Sequence, residues 1–318
     1  MVFVRIGVLE MAKTFKTLEE QIQILQSKGL VIYDIEEAKN ILLRENYFFI
    51  SGYRFLFMES QANRLFLPGA TFDELYAMFQ FDRHVRNIIF KNLLIIENNM
   101  KSILAYNLSG RYGIKEEEYL SPKNFVQDKS KKRQVDDLLR KMKRQIRING
   151  GQHQATVHYI SKYGYIPLWI AVKILSFGIV SELYQILKSD DQDRIAEDFH
   201  ISKGELLVYL PILANFRNLC AHEDILFDHR AQRMIEDTKY HAQLRIPKMN
   251  DEYVYGKDDL FAIIIILKQL LRKDDFFLLM SEIEFEIHIL SDRLKVIDVE
   301  KVLDKMGFPK NYGEIVRL

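Results

Sequence analysis

A single cysteine, Cys220, stands in 318 residues. That excludes an intrachain disulfide framework and a cysteine-rich zinc site, and it makes a reducing cytoplasm the natural compartment. Six prolines and 14 glycines are too few for a disordered chain or for an architecture dense in β-turns. Net charge is also missing, because 45 Lys and Arg face 44 Asp and Glu and leave +1. Any affinity for nucleic acid must then come from a local patch and not from a global field. Long hydrophobic runs are absent as well. FAIIIIL at 261–267 is too short to cross a bilayer, and the apolar stretch 164–180 is interrupted by Lys173; both read as buried core, and no membrane partner is expected. MVFVRIGVLE, the first ten residues, has no small-residue cleavage site behind a long apolar core and does not read as an export signal. Met11 is an equally good start, so residues 1–10 read as an upstream extension. No phosphate-binding glycine loop, dinucleotide fingerprint, HExxH string or placed catalytic triad occurs. No cofactor is expected.

What is present is an apolar content of 48% beside 28% charged residues, the balance of a globular protein large enough for one big domain or two. The apolar residues recur at three-four spacing, which predicts an all-α fold. Thr17 with Glu20 forms the pattern of a capping box for a first helix, Gly29 suits its end, and Asp34 caps a second. An aromatic run from Tyr47 to Phe57 follows and reads as packing, although rings beside Arg44 and Arg54 also suit base stacking. Past the Pro68-Gly69 turn, Thr71 caps a long helix to about Leu108. Its stripe is Leu75, Met78, Phe79, Val85, Ile89, Leu93, Ile96 and Met100. Asp82, Arg83, Arg86, Glu97 and Lys101 stand against that stripe, and Glu97 with Lys101 reads as a surface i,i+4 pair. Residues 109–163 read as the most loop-like part, except for a local basic helix. Between Lys129 and Arg147, nine basic residues, among them Lys132, Arg133, Arg140 and Arg144, face two acidic ones. Such a run is either a solvated face or an RNA-backbone surface. A buried helix with Trp169 in the core is expected over 165–187, then a short amphipathic helix to Phe199. The stretch 232–250 reads as a polar linker, and helices are expected at 257–273, 275–293 and 298–306.

The stretch around which the chain is organised is LLVYLPILANFRNLCAHEDILFDHR, residues 206–230. It is a mostly apolar helix, with Pro211 as a first-turn or kink residue, that abruptly presents Arg217, Asn218 and His222. Unpaired buried charge is costly, so the cluster needs a reason. At ~100° per residue Asn218 and His222 share a face, while Arg217 and His222 lie ~140° apart. An imidazole, with a free pKa near ~6.5, can move a proton at a 2′-hydroxyl or a leaving oxygen. A guanidinium can grip a phosphate in a fork and stabilise developing charge. The same residues can also be satisfied by ordinary helix packing. His222, Asp224, Asp228 and His229 lack a fixed ligand geometry, so no metal site is expected.

RNLCAHEDILF (217–227), FQFDRHVRNIIF (79–90), IPLWIAVKILSFGIVSELY (166–184) and MGFPKN (306–311) together resemble the bacterial Abi family, the AbiD/AbiF-like abortive-infection group of the HEPN superfamily. The resemblance runs from about Phe15 to the C-terminus. It implies an HEPN-like helical bundle with additional N- and C-terminal helices. The corresponding division is an N-terminal helical region at 1–65, a core at 66–245 with a basic insertion near 121–151, and a C-terminal helical region at 246–318. It implies ribonuclease roles for Arg217 and His222, with Asn218 as the polar residue after the Arg, and phosphate contacts for Arg86 and Lys101. It further implies RNA as substrate, a homodimer with a composite cleft, and phage defence as the setting. An inhibitory or guiding RNA is a further partner to look for. Where the group commonly carries an acidic residue after the Trp block, this chain has Lys173, so no role is carried over from that position. The competing class is a non-catalytic RNA-binding or protein-interaction module that uses the same helix.

Overall fold

The structure is a computed structural model and describes residues 14–60 and 64–318; the upstream extension expected at 1–10, and Met11, lie outside them. Among the described residues, fifteen α-helices, four 3₁₀ turns and one two-stranded hairpin make an all-α protein. The chain divides into two compact units, one running up to Gln80 and including Leu290–Asp298, the other made of Phe81–Ile289 and Val299–Leu318.

In the first unit, Leu18–Ser27 opens on the Thr17–Glu20 capping box and Ile35–Glu45 on Asp34, as the sequence predicts. Gly29, at φ +91°, closes the first helix: its N–H donates to the Gln26 carbonyl and that of Leu30 to the Leu25 carbonyl. The aromatic run is split, with Tyr53 and Phe57 buried and Phe48 and Phe49 exposed. Residues 290–298 join this unit because the buried Glu74 carboxylate accepts the N–H groups of Lys295 and Val296 at 2.7 and 2.8 Å.

The second unit is built on a helix buried on every side. Leu260–Leu270 keeps only Lys268 and Gln269 from full burial, as its LFAIIIIL run requires. The long helix, Phe72–Tyr112, belongs to the first unit as far as Gln80 and to the second from Phe81, and all eight expected stripe positions are buried. Around these lie Lys132–Asn149, the basic helix, packed on Phe177–Ile186, which in turn packs on Lys203–Ala221, the motif helix. Three expectations are corrected. The helix predicted across 165–187 breaks, because Leu175 is extended and Ser176 caps a new helix through the Ile179 N–H. Residues 109–163 are largely helical, with Gln154–Tyr163 following the basic helix. The polar linker holds a short helix, Lys239–Gln243, and a hairpin pairing Lys248–Met249 with Glu252–Tyr253. No helix among the described residues is long and apolar enough to cross a membrane.

Candidate active site

The motif helix starts on a capping box, with Ser202 accepting from the Glu205 N–H and Glu205 accepting from the Ser202 N–H at 2.8 Å. Pro211 lies in its interior, not in its first turn. It has no N–H for the Leu207 carbonyl, yet the helix continues for ten residues to Ala221. The helix ends on a Schellman turn. Glu223 takes the left-handed conformation at φ +59°, its N–H donates to the Cys220 carbonyl at 3.3 Å, and the Asp224 N–H donates to the Leu219 carbonyl at 3.2 Å. His222 is therefore the C-cap residue. It is exposed, as are Asn218 and Ala221, so the face predicted for Asn218 and His222 opens to solvent. Cys220 is on the buried side, where burial pushes its thiol up to about 12 and removes it from nucleophilic chemistry.

Two carboxylates of the long helix anchor this end of the motif helix. Asp82 accepts from Arg86 at 2.8 Å and from the N–H groups of Leu226 and Phe227 at 3.1 and 2.8 Å. Arg86 also donates to the Asp224 carbonyl at 3.1 Å. The pair thus clamps the loop that leaves His222. Arg86 is only 3% exposed and engaged on two sides, so the phosphate contact expected of it gives way to a role in holding that loop. Glu97 receives Lys101 at 2.7 Å and, across 120 residues of sequence, Arg217 Nε at 3.1 Å. Arg217 also lies over the Phe90 ring, 5.7 Å from its centroid. Its side chain retains 29% of its accessibility. A carboxylate taking the Nε–H fixes the plane of the guanidinium, and this is how Arg217 is aimed. Glu97 and Lys101 are thus not the surface pair expected, since their side chains are 6% and 12% exposed.

The other predicted residues occupy separate positions. Lys132, Arg133, Arg140 and Arg144 are all exposed on the basic helix, whose buried side is Val135, Leu138, Leu139, Met142 and Ile146. Arg133 and Arg140 share Asp137, whereas Lys132 and Arg144 have no ion-pair partner among the described residues. His158, which is not among the predicted residues, stands exposed among Tyr159 and Tyr163. His229 hydrogen-bonds Asn215 at 3.1 Å with its ring edge-on to Phe216, and burial lowers its proton affinity.

Sequence reading missed the roles of Asp82 and Glu97. The signal for them was two acid–base pairs at i,i+4 spacing, fifteen residues apart, flanking a buried stripe. It also placed Trp169 in the core. Trp169 is 41% exposed and lines a cavity of about 780 Å³ together with Lys101 and Lys173. The helix break after Ile174 is what leaves this short Trp-bearing turn, Leu168–Ala171, on the cavity wall.

The sequence model of the family described as Abi-like protein matches residues 40–228, a span that holds the long helix, the basic helix and the motif helix to its end. No curated protein and no solved structure matches the chain.

Proposed function

The chain belongs to the Abi-like protein family, and on that premise we propose that it is a metal-independent endoribonuclease of the HEPN type acting in abortive infection, the defence of bacteria against phage, in the cytoplasm. The observation that carries this reading is the end of the motif helix. There an exposed imidazole shares a face with Asn218, and a half-open guanidinium is held by a buried carboxylate.

The reaction is attack of a ribose 2′-oxygen on the adjacent phosphorus with loss of the 5′-oxygen. It leaves a 2′,3′-cyclic phosphate and a 5′-hydroxyl, so no water or metal-bound nucleophile is consumed. His222 moves the proton at the 2′-oxygen or at the leaving oxygen, a contribution of ~10²–10⁴ in rate. Arg217, its Nε–H occupied by Glu97, presents its remaining donors to the phosphate and stabilises the charge that builds there, worth ~10²–10³. Asn218 orients the imidazole or contacts the phosphate from the same face. A single Arg–His set handles one proton transfer comfortably and two poorly. A second copy of the chain, supplying its own set across a composite cleft, completes the acid–base pair.

The test is incubation of wild-type, Arg217→Ala and His222→Ala protein with total cellular RNA, with and without EDTA, and with cut sites and ends mapped by sequencing. Cleavage that persists in EDTA, leaves 2′,3′-cyclic phosphates and disappears in both variants is the expected result. Undiminished cutting by either variant removes the mechanism. An inert wild-type protein that still binds RNA in a salt-sensitive way supports the non-catalytic RNA-binding module instead.

A further inference from the structure

We infer that the cavity bounded by Asn98, Lys101, Tyr106, Ser109, Trp169 and Lys173 is a subsite for one nucleotide of a single-stranded RNA, with the base on Trp169 and its phosphate between Lys101 and Lys173. The volume of about 780 Å³ lies within the ~300–1,000 Å³ usual for small-ligand sites, so a nucleotide fits with room for its neighbour in the strand. A tryptophan that stays 41% exposed on a concave wall, with Tyr106 exposed on the same lining, is a stacking platform waiting for a flat partner. It is not a core residue, because core packing would have covered it.

The charge on this wall points the same way. Lys101 and Lys173 line the cavity, and none of its lining residues carries a carboxylate. Glu97, the carboxylate that meets Lys101, is shared between Lys101 and Arg217. The cavity wall therefore carries two cations, Lys101 and Lys173, and the one carboxylate that meets Lys101 is itself divided with Arg217, an excess suited to a phosphodiester backbone and unsuited to a neutral ligand. Ser109 and Asn98 add polar residues to the same lining.

Geometry links this pocket to the chemistry through one carboxylate. Lys101 lies on the cavity, Glu97 joins it to Arg217, and Arg217 is the group aimed at the scissile phosphate in the proposed ribonuclease reaction, on which this inference rests for the identity of the strand. A nucleotide seated on Trp169 would then set the register of the RNA along the cleft. Lys173 supplies a second anion contact and Tyr106 a second ring.

Trp169 is the sole tryptophan, so intrinsic tryptophan fluorescence reports on this cavity alone. The experiment titrates the full chain with a 2′-O-methyl hexanucleotide, which cannot be cleaved, and separately with a nucleoside 5′-monophosphate. The expected result is saturable quenching by the hexanucleotide that weakens with salt, with affinity reduced about tenfold or more in Lys173→Glu and in Tyr106→Ala. Both substituted side chains are exposed, and unchanged circular dichroism and melting confirm the fold. Quenching by the monophosphate but not by the hexanucleotide keeps the nucleotide chemistry and overturns the RNA strand as its source. No quenching by either, or titrations indifferent to both substitutions, overturns the subsite. RNA cleavage without quenching removes the subsite and leaves the nuclease reading, whereas quenching without cleavage does the reverse.

Discussion

Asp82 and Glu97 sit on one helix about 22 Å apart along its axis and within ~60° of each other around it. Each is paired four residues on with a cation, and each reaches the end of the motif helix. They differ in what they hold and in how far the site is sealed. Asp82 and Arg86 are almost wholly buried, and their partners are backbone groups: the N–H of Leu226 and Phe227 and the carbonyl of Asp224. Glu97 is buried too, but one of its two cations, Arg217, still faces solvent. The first pair uses its charge to shape a loop, and the second uses it to orient a side chain that has donors left over. A buried ion pair is weak grounds for net stability, yet breaking one by removing a partner is strongly destabilising. One arrangement is therefore structural and the other, in the proposed reaction, functional, although the sequence writes them in the same i,i+4 form.

The largest expected effect separates the two. His222→Ala and Arg217→Ala should lower the cleavage rate by ~10²–10⁴ with little change in melting temperature, because in Arg217→Ala the Glu97 carboxylate keeps Lys101. Arg86→Ala should instead cost about 3–5 kcal/mol of stability by stranding the Asp82 carboxylate, measured as a lower denaturant midpoint; an Arg86→Ala protein of wild-type stability that fails to cleave would dissolve the distinction. Next in size is Glu97→Gln. Freed from its carboxylate, Arg217 should lose its aim, and kcat should fall about ten- to a hundredfold with a smaller change in KM. Glu97→Asp should recover part of that loss, which a purely structural role would not predict.

The same contrast recurs between histidines. His241 is fully buried, accepts the Thr238 N–H at Nδ1 and donates from Nε2 to the Gly256 carbonyl, so its neutral form satisfies both ring nitrogens. Burial lowers its proton affinity. The unfolded chain takes up a proton near ~6.5 that the folded chain refuses, so this contribution is complete above that pH and is lost as pH falls below it, by at most about 1.4 kcal/mol per pH unit. Asp259, pushed up to about 6 by burial, works in the opposite sense between about 4 and 6. The readout is therefore the difference in unfolding free energy between wild type and His241→Gln, which should narrow as pH drops from 7.5 to 5.5. The smallest effects belong to the basic helix. Lys132→Ala and Arg144→Ala should each weaken RNA binding a few-fold and flatten its salt dependence by ~0.7 per charge removed. Arg133→Ala and Arg140→Ala, whose charges are already shared with Asp137, should change it less.

Legibility in the sequence follows the range of the interactions. Thr17 with Glu20, Asp34, and the stripe from Leu75 to Met100 are local patterns, and spacing and residue type are enough to reveal each of them. The shared face of Asn218 and His222 follows from helical spacing alone. The partner of Arg217 was not visible, because Glu97 lies 120 residues away and its own neighbour Lys101 offered an easier explanation for its charge. Arg86 misled for a related reason: its burial depends on a loop 138 residues downstream that supplies the Asp224 carbonyl. Trp169 misled because an apolar run from Ile166 to Val180 reads as one buried helix, while the extended Leu175 and the Ser176 cap cut it in two. His241 turns the supposed linker into ordered structure through hydrogen bonds that no composition reveals.

The central claim is that Arg217 and His222 act on one phosphate in one step. The most direct test is the single-turnover rate at one mapped cut site for wild type, Arg217→Ala, His222→Ala and the double variant. Residues that act as a unit are strongly non-additive, so the double variant should be no slower than the slower single one. Full additivity, or a wild-type rate in either single variant, would contradict the account.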